Sequence, residues 1–183
     1  FITITTWILS TSYNNYSLLV ILFIFSFLIL GIFSDLKTNF SPKLRLILQS
    51  ILIIFFIYLL DLKINKTGLF FLDYFIDNTI FNLLFSSICI VILVNGSNFC
   101  DGVNCNVIGY YLIVCLAILY GEFPNLDNFP NIKIIIIIFF IFYLSNLFQK
   151  SFLGDNGVYV INIFMAIYLI NFINVNSYIS PLL

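Results

Sequence analysis

Apolar residues run along this chain in long unbroken stretches, with no alternation between successive positions. Six stretches can be drawn: Ser17–Phe33, Leu44–Leu60, Ile80–Val94, Val107–Tyr120, Ile132–Leu147 and Val158–Ile173. The strands of a membrane barrel would alternate with period two, so continuous runs predict helices. Crossing the hydrocarbon takes about 20 residues, and the shorter runs gain length from flanking Asn, Tyr and Ser, which tolerate the interface. The Ile-rich run Ile134–Ile138 would suggest a strand in a soluble protein. In lipid, β-branching costs a helix little, and a helix is predicted there too. Between the third and fourth runs lies a polar interruption, Asn95 to Asn106, reading NGSNFCDGVNCN, with two Gly, four Asn and one Asp. Near a bilayer such groups must find partners or water. The stretch is therefore expected to be a loop that forms the floor of a site at the membrane surface.

Composition narrows the class. Of the 183 residues, 62% are hydrophobic and 8% are charged, against about 25% charged in a soluble domain. Too little polar surface is present to cover a soluble globule. The fold predicted is an all-α polytopic integral membrane helix bundle, with about six transmembrane helices in a single transmembrane domain over residues 1–183. The net charge of −1 gives no basis for nucleic-acid binding. No His occurs, which leaves carboxylates, Lys, Tyr or Cys to carry any catalysis. Cys89, Cys100, Cys105 and Cys115 form no CxxC pair and read as small apolar residues in a reduced setting. The chain starts at Phe1 without Met, carries no basic segment before its first apolar run, and ends in Ser180-Pro181-Leu182-Leu183, leading toward another apolar run. It reads as a piece of a longer membrane protein.

Helix parity assigns each connection to one of two faces. Ser34–Lys43, Asn95–Asn106 and Phe148–Gly157 share the first; Asp61–Thr79 and Gly121–Asn131 share the second. The first carries Lys37, Lys43, Arg45 and Lys150 against Asp35, Asp101 and Asp155. The second carries Lys63, Lys66 and Lys133 against Asp61, Asp73, Asp77, Glu122 and Asp127. The balance leans toward a cytoplasmic first face under the positive-inside rule. Gly121-Glu122-Phe123-Pro124 and Phe129-Pro130 are turn chemistry on the second. Each first-face connection holds an Asp flanked by Gly or Ser near a helix end: Asp35 after Gly31-Ile-Phe-Ser, Asp101 before Gly102, and Asp155 after Gly154. Three carboxylates converging on one face predict a divalent-cation and phosphate site.

Three motifs in order then resemble one family. NGSNFCDGVNCN is similar to the N-x-x-N-x-x-D-G-x-[DN]-G-L loop of the polyprenyl-phosphate sugar-1-phosphate transferases (glycosyltransferase family 4). GIFSDLKTNFSPKLRLILQ, from Gly31 to Gln49, resembles that family's G-x-x-D-D segment, followed by a Ser-Pro-Lys-x-Arg-like helix start and a Gln one turn further in. KSFLGDNGVY, from Lys150 to Tyr159, resembles its F-x-G-D-[STA]-G motif. The resemblance covers about Gly31 to Tyr159. It implies transfer of a sugar-1-phosphate, a HexNAc-1-phosphate above all, from a UDP-sugar to a polyprenyl phosphate lipid, with release of UMP. It implies Mg²⁺ (or Mn²⁺) as cofactor and a multi-pass place in the plasma (inner) membrane, with the site facing the cytoplasm, in cell-wall or surface-polysaccharide biosynthesis. It implies Asp35 and Asp101 as catalytic residues, Asn95, Asn98, Lys43 and Arg45 as substrate-binding, and Asp155 as the metal ligand. The family's members are larger, with about ten helices and a later His-containing loop, and turnover is expected to need those parts. Two positions depart from the pattern: Ser34 stands where the family has the first Asp of its pair, and Asn104-Cys105 where it has [DN]-Gly.

The residues alone leave other readings open. A cation-binding transporter or channel segment would place its acids inside helices, and a remnant could keep the fold without the activity. Asp101-Gly102 alone suits a turn, Asp155 suits a helix cap, and Asp35 beside Lys37 suits a surface pair. Lys43 and Arg45 also suit interfacial anchors. Gln49, four residues past Arg45, lines a groove or makes a buried interhelical hydrogen bond. Tyr110 and Tyr111 are expected in the aromatic belt. A homodimer is a further partner allowed by the chain.

Overall fold

The computed structural model describes residues 15–36, 41–102, 105–121, 123 and 132–176. Lys37, Asn104, Glu122, Asp127, the turns at Pro124 and Phe129-Pro130, and both ends of the chain lie outside these residues. The described residues form α1 (Asn15–Leu36), α2 (Pro42–Leu60), α3 (Phe70–Ile76), α4 (Thr79–Cys100), α5 (Asn106–Tyr120), α6 (Ile132–Leu147) and α7 (Gly154–Val175), with no strand among them. All six expected helices are present, the Ile-rich one included. By length and composition α1, α2, α4 and α7 can each cross a membrane, while α5 and α6 are shorter apolar helices. The short α3, which no apolar run announced, exposes Phe70, Phe71 and Tyr74.

One expectation is corrected. The stretch Asn95–Asn106 is not a loop throughout, because α4 continues through Cys100 before the turn at Asp101. Asn95, Gly96, Ser97 and Asn98 favour loops because their polar groups compete for the backbone. Here that competition is turned inward. The Asn95 amide donates to the Val91 carbonyl at 2.9 Å and the Ser97 hydroxyl to the Leu93 carbonyl at 2.7 Å. Both bonds run one turn back along an intact helix. Where water is scarce, a helix that satisfies its own backbone prevails.

Local signals set the other helix starts. Ser41 accepts from the Leu44 amide at 3.2 Å, with Pro42 at the first helical position, so α2 begins where Ser-Pro predicts. Asn78 caps α4 through the amides of Ile80 and Phe81. Cys105 takes a left-handed conformation, φ 66°, before α5, and its amide donates to Asn146 Oδ1 on α6 at 3.0 Å.

α7 is the most enclosed of the spanning helices. It packs chiefly on α1 and also on α4, while α2 joins α1 to α4 and α5 pairs with α6. Phe23 of α1 stacks on Phe56 of α2 with ring centres 4.6 Å apart. The α1–α7 approach is closest at Gly31, where an added Cβ would overlap the Cα of Asn156. A small residue at such a crossing lets two backbones meet, which matters in lipid because no hydrophobic force drives helices together there. Tyr111 departs from its expected place in the belt. It is fully buried and donates its hydroxyl proton to Asn162 Oδ1 on α7.

The end of the bundle that carries α3 is closed by side chains bonded to backbone. Asn82 accepts from the Ile64 amide and donates to the Ile64 carbonyl, and Asn174 does the same for Asn65 and Lys63. Asp73 accepts at 2.6 Å from both the hydroxyl and the amide of Thr67, which holds its carboxyl below the usual carboxylate range.

Replacing Gly31 by Val tests the crossing. Overpacking of this kind costs about 1–3 kcal/mol, so Gly31→Val is expected to lower the thermal midpoint in detergent clearly. A midpoint equal to that of the parent would show that α1 and α7 do not meet there.

Candidate functional site

The close crossing at Gly31 carries the last turn of α1 over the first turn of α7. Asp35 there accepts from the Asp155 amide at 3.0 Å and the Asn156 amide at 3.4 Å. The first amides of a helix lack partners within it and carry its positive end. A carboxylate from another helix thus caps α7, in place of the self-capping that Asp155 suggested. Gly154 is left-handed, φ +61°, and an added Cβ there would lie 3.0 Å from Asp35 Oδ2. Glycine serves both needs: the positive φ and the room for the carboxylate.

Asp155 holds the centre. Its Oδ2 accepts from Arg45 at 2.8 Å and from the Ser34 hydroxyl at 2.5 Å, and Arg45 also reaches Ser34 Oγ at 3.3 Å. The side chains of Arg45 and Asp155 are about a quarter exposed, 25% and 26%. An ion pair in this setting is stronger than one in open water, and its loss would strand a half-buried charge. Two connections far apart in sequence meet here: the one that joins α1 to α2, which brings Ser34 and Arg45, and the start of α7, which brings Asp155.

Asp101, at the C-terminal end of α4, belongs to the same end of the bundle. Its carboxyl is pushed up to about 6, first by burial and then by the charge of Asp155. The negative end of its own helix is no help to an anion. Two carboxylates within each other's field suit a hard cation, which takes one or two carboxylates and keeps several waters. Among the described residues no group of three His, Cys, Asp or Glu side chains is close enough to hold a metal by itself. The donor set fits Mg²⁺ in chemistry, as carboxylate oxygens completed by water and ligand phosphate.

The remaining expected residues divide. Arg45 is central. Lys43 is exposed and outside the ion pair, as two residues apart on a helix requires. Asn98 lies three residues before Asp101, on the same face of α4, and its Oδ1 is buried without a hydrogen-bond partner. Asn95 is turned back to its own helix. Sequence reasoning treated Ser34 only as a lost carboxylate, whereas it is a donor to Asp155. It gave no place to Tyr159, one turn along α7 from Asp155. The i, i+4 spacing of Asp155 to Tyr159, matching Arg45 to Gln49, was the available signal.

These features define a multi-helix membrane protein whose polar centre gathers at one end of the bundle. A family model described as glycosyl transferase family 4 matches residues 17–173, and the chain belongs to that family. It is a membrane transferase of the polyprenyl-phosphate sugar-1-phosphate type. No curated protein and no solved structure matches the chain significantly.

Asp101 supplies a pH test. In the folded protein burial pushes its carboxyl up to about 6, above the ordinary aspartate range near 3.8. Between those values the folded state binds the proton more tightly than the unfolded chain, so stability falls as pH rises and levels off above about 6. Asp101→Asn should remove this slope and melt higher than the parent at pH 7.5. Parallel melting curves against pH for the two proteins would contradict the burial assigned to Asp101.

Proposed function

We propose that this protein transfers a HexNAc-1-phosphate from a UDP-sugar to a polyprenyl phosphate at the cytoplasmic face of the plasma membrane, releasing UMP for cell-envelope polysaccharide synthesis. The observation that carries the reading is the Arg45–Asp155–Ser34 centre, seated on the N-terminal turn of α7 and flanked by Asp35 and Asp101. An oxygen of the lipid phosphate attacks the β-phosphorus of the nucleotide. A new phosphorus–oxygen bond forms as the bond from that phosphorus to the bridging oxygen breaks, and the electron pair leaves with UMP. Catalysis of this kind is positioning and electrostatic stabilisation.

The chain's residues supply both. Asp155, with Asp101 within reach of its charge, would hold Mg²⁺ (or Mn²⁺). That ion, when bound, supplies positive charge against the diphosphate oxygens. Arg45 offers a planar, permanently charged donor to a phosphate, and Lys43, exposed beside it, steers the anionic head group. Asn98 presents an unpaired carbonyl oxygen to the nucleotide, with Asn95 one turn further into the membrane. Asp35 fixes the first turn of α7 and, exposed at the end of α1, borders the approach of the acceptor phosphate. The site needs a membrane face, because a water-soluble nucleotide must meet a lipid head group.

Two measurements test this. In detergent with polyprenyl phosphate and each UDP-HexNAc in turn, Asp155→Asn should abolish metal-dependent UMP release, since it keeps the shape and removes the charge a hard cation needs. Asp35→Asn should be nearly as severe, and full activity in Asp155→Asn would rule out the metal role. For orientation, Cys100 is exposed beside Asp101. With the other cysteines changed to Ala, it should label from the cytoplasmic side of vesicles, and a Lys66→Cys variant from the opposite side. The reverse pattern would remove the nucleotide from reach of the site.

A further inference from the structure

One turn deeper than the ion pair lies a second polar rung. Gln49 follows Arg45 by four residues on α2, and Tyr159 follows Asp155 by four on α7, so the two pairs stack along the same helix faces. Both side chains are wholly buried. Both amide atoms of Gln49 and the hydroxyl of Tyr159 lack a hydrogen-bond partner. The Tyr159 hydroxyl nevertheless lies within interacting range of Ser34 and Gln49 and in the field of Asp155 and Arg45. Buried polar groups are rarely left unpaired, and three unpaired atoms directly beneath the charged centre point to a second arrangement of the same side chains.

The first rung shows what that arrangement must accommodate. Asp155 Oδ2 already accepts from both Arg45 and Ser34. A divalent cation of the size of Mg²⁺ binds a carboxylate oxygen at about 2.0–2.1 Å, and at Oδ2, whose two lone pairs these donors occupy, it would displace at least one of them. We propose that Tyr159 and Gln49 are positioning residues that receive the Ser34 hydroxyl when a cation takes the Asp155 oxygen. This rests on the metal role proposed above. In the loaded site Ser34 donates to the Tyr159 oxygen, and the Tyr159 hydroxyl donates to Gln49 Oε1. Arg45 is released toward the diphosphate, where its charge is wanted. No proton changes owner and no bond other than hydrogen bonds is made or broken. Hydrogen bonds unmade in the empty site are made in the loaded one, so the second rung adds to cation affinity.

The test is the thermal midpoint in detergent as a function of Mg²⁺ concentration, which reads binding without turnover. Tyr159→Phe removes one oxygen and keeps the ring. Without Mg²⁺ it should melt at or above the parent midpoint, because an unpaired buried hydroxyl is gone. Its half-maximal Mg²⁺ concentration should rise about tenfold, the equivalent of one net hydrogen bond. Gln49→Met should shift it in the same direction. In a Ser34→Ala background, where no hydroxyl needs rehousing, Tyr159→Phe should change nothing further. A merely structural role would move the midpoint and leave the Mg²⁺ dependence alone. A parent response that both variants share unchanged overturns the inference and leaves the metal role standing. A parent protein that shows no Mg²⁺ response refutes the metal role and the inference with it.

Discussion

The contact of α1 with α7 at Gly31 is the constraint on which the site depends. Because α1 has no side chain there, its backbone passes against that of Asn156. The residues that follow on α1 are thereby delivered to the N-terminal turn of α7, with Ser34 reaching the Asp155 carboxylate and Asp35 the first amides. In a membrane the lipid is as apolar as the helices, so association rests on close packing and interhelical hydrogen bonds. This crossing supplies both within a single turn of each helix.

Helix ends then sort the charges. Asp35 sits at the negative end of α1 yet is paired with the positive end of α7, so the second helix offsets the first. Asp155 lies in the first turn of α7 and also takes Arg45. Asp101 ends α4 with no such compensation, and burial beside Asp155 raises its carboxyl. Ser34 fits this balance. A carboxylate in its place would stand against Asp155 unless a cation lay between them, whereas a hydroxyl donates to Asp155 and needs none.

The two ends of the bundle spend their polar groups differently. At the α3 end, Asn82, Asn174 and Asp73 bind backbone and hold the connection before α3 in place. At the Asp155 end, Asn98, Gln49 and Tyr159 keep buried polar atoms without partners. Unpaired buried groups cost stability, and they are sustained where a ligand or a second arrangement can satisfy them. Asn176 Oδ1 at the α3 end is also buried without a partner, so the contrast is that the unpaired groups of the other end stand together beside a charged centre.

The sequence by itself determined the class, the helices and the chemical candidates. Continuous apolar runs admit only helices in lipid, because each segment must satisfy its own backbone, and the six runs appear as α1, α2, α4, α5, α6 and α7. Helix parity alone placed Asp35, Asp101 and Asp155 at one end, and three ordered motifs pointed to the family. The tertiary structure decided what local propensity could not. Asn95 to Cys100 reads as loop, because Asn, Gly and Ser favour turns in water, yet where water is scarce the backbone must pair with itself and α4 stays helical, with the Asn95 and Ser97 side chains bonded one turn back. Tyr111 reads as a belt aromatic, yet a partner on α7 buries it. Which acid meets which cation is also invisible in one dimension. Arg45 and Asp155 are 110 positions apart, on α2 and α7, and they meet because α1 packs on both of those helices. Local sequence sets hydrogen bonds that close within a turn, whereas bonds between helices depend on how the helices pack.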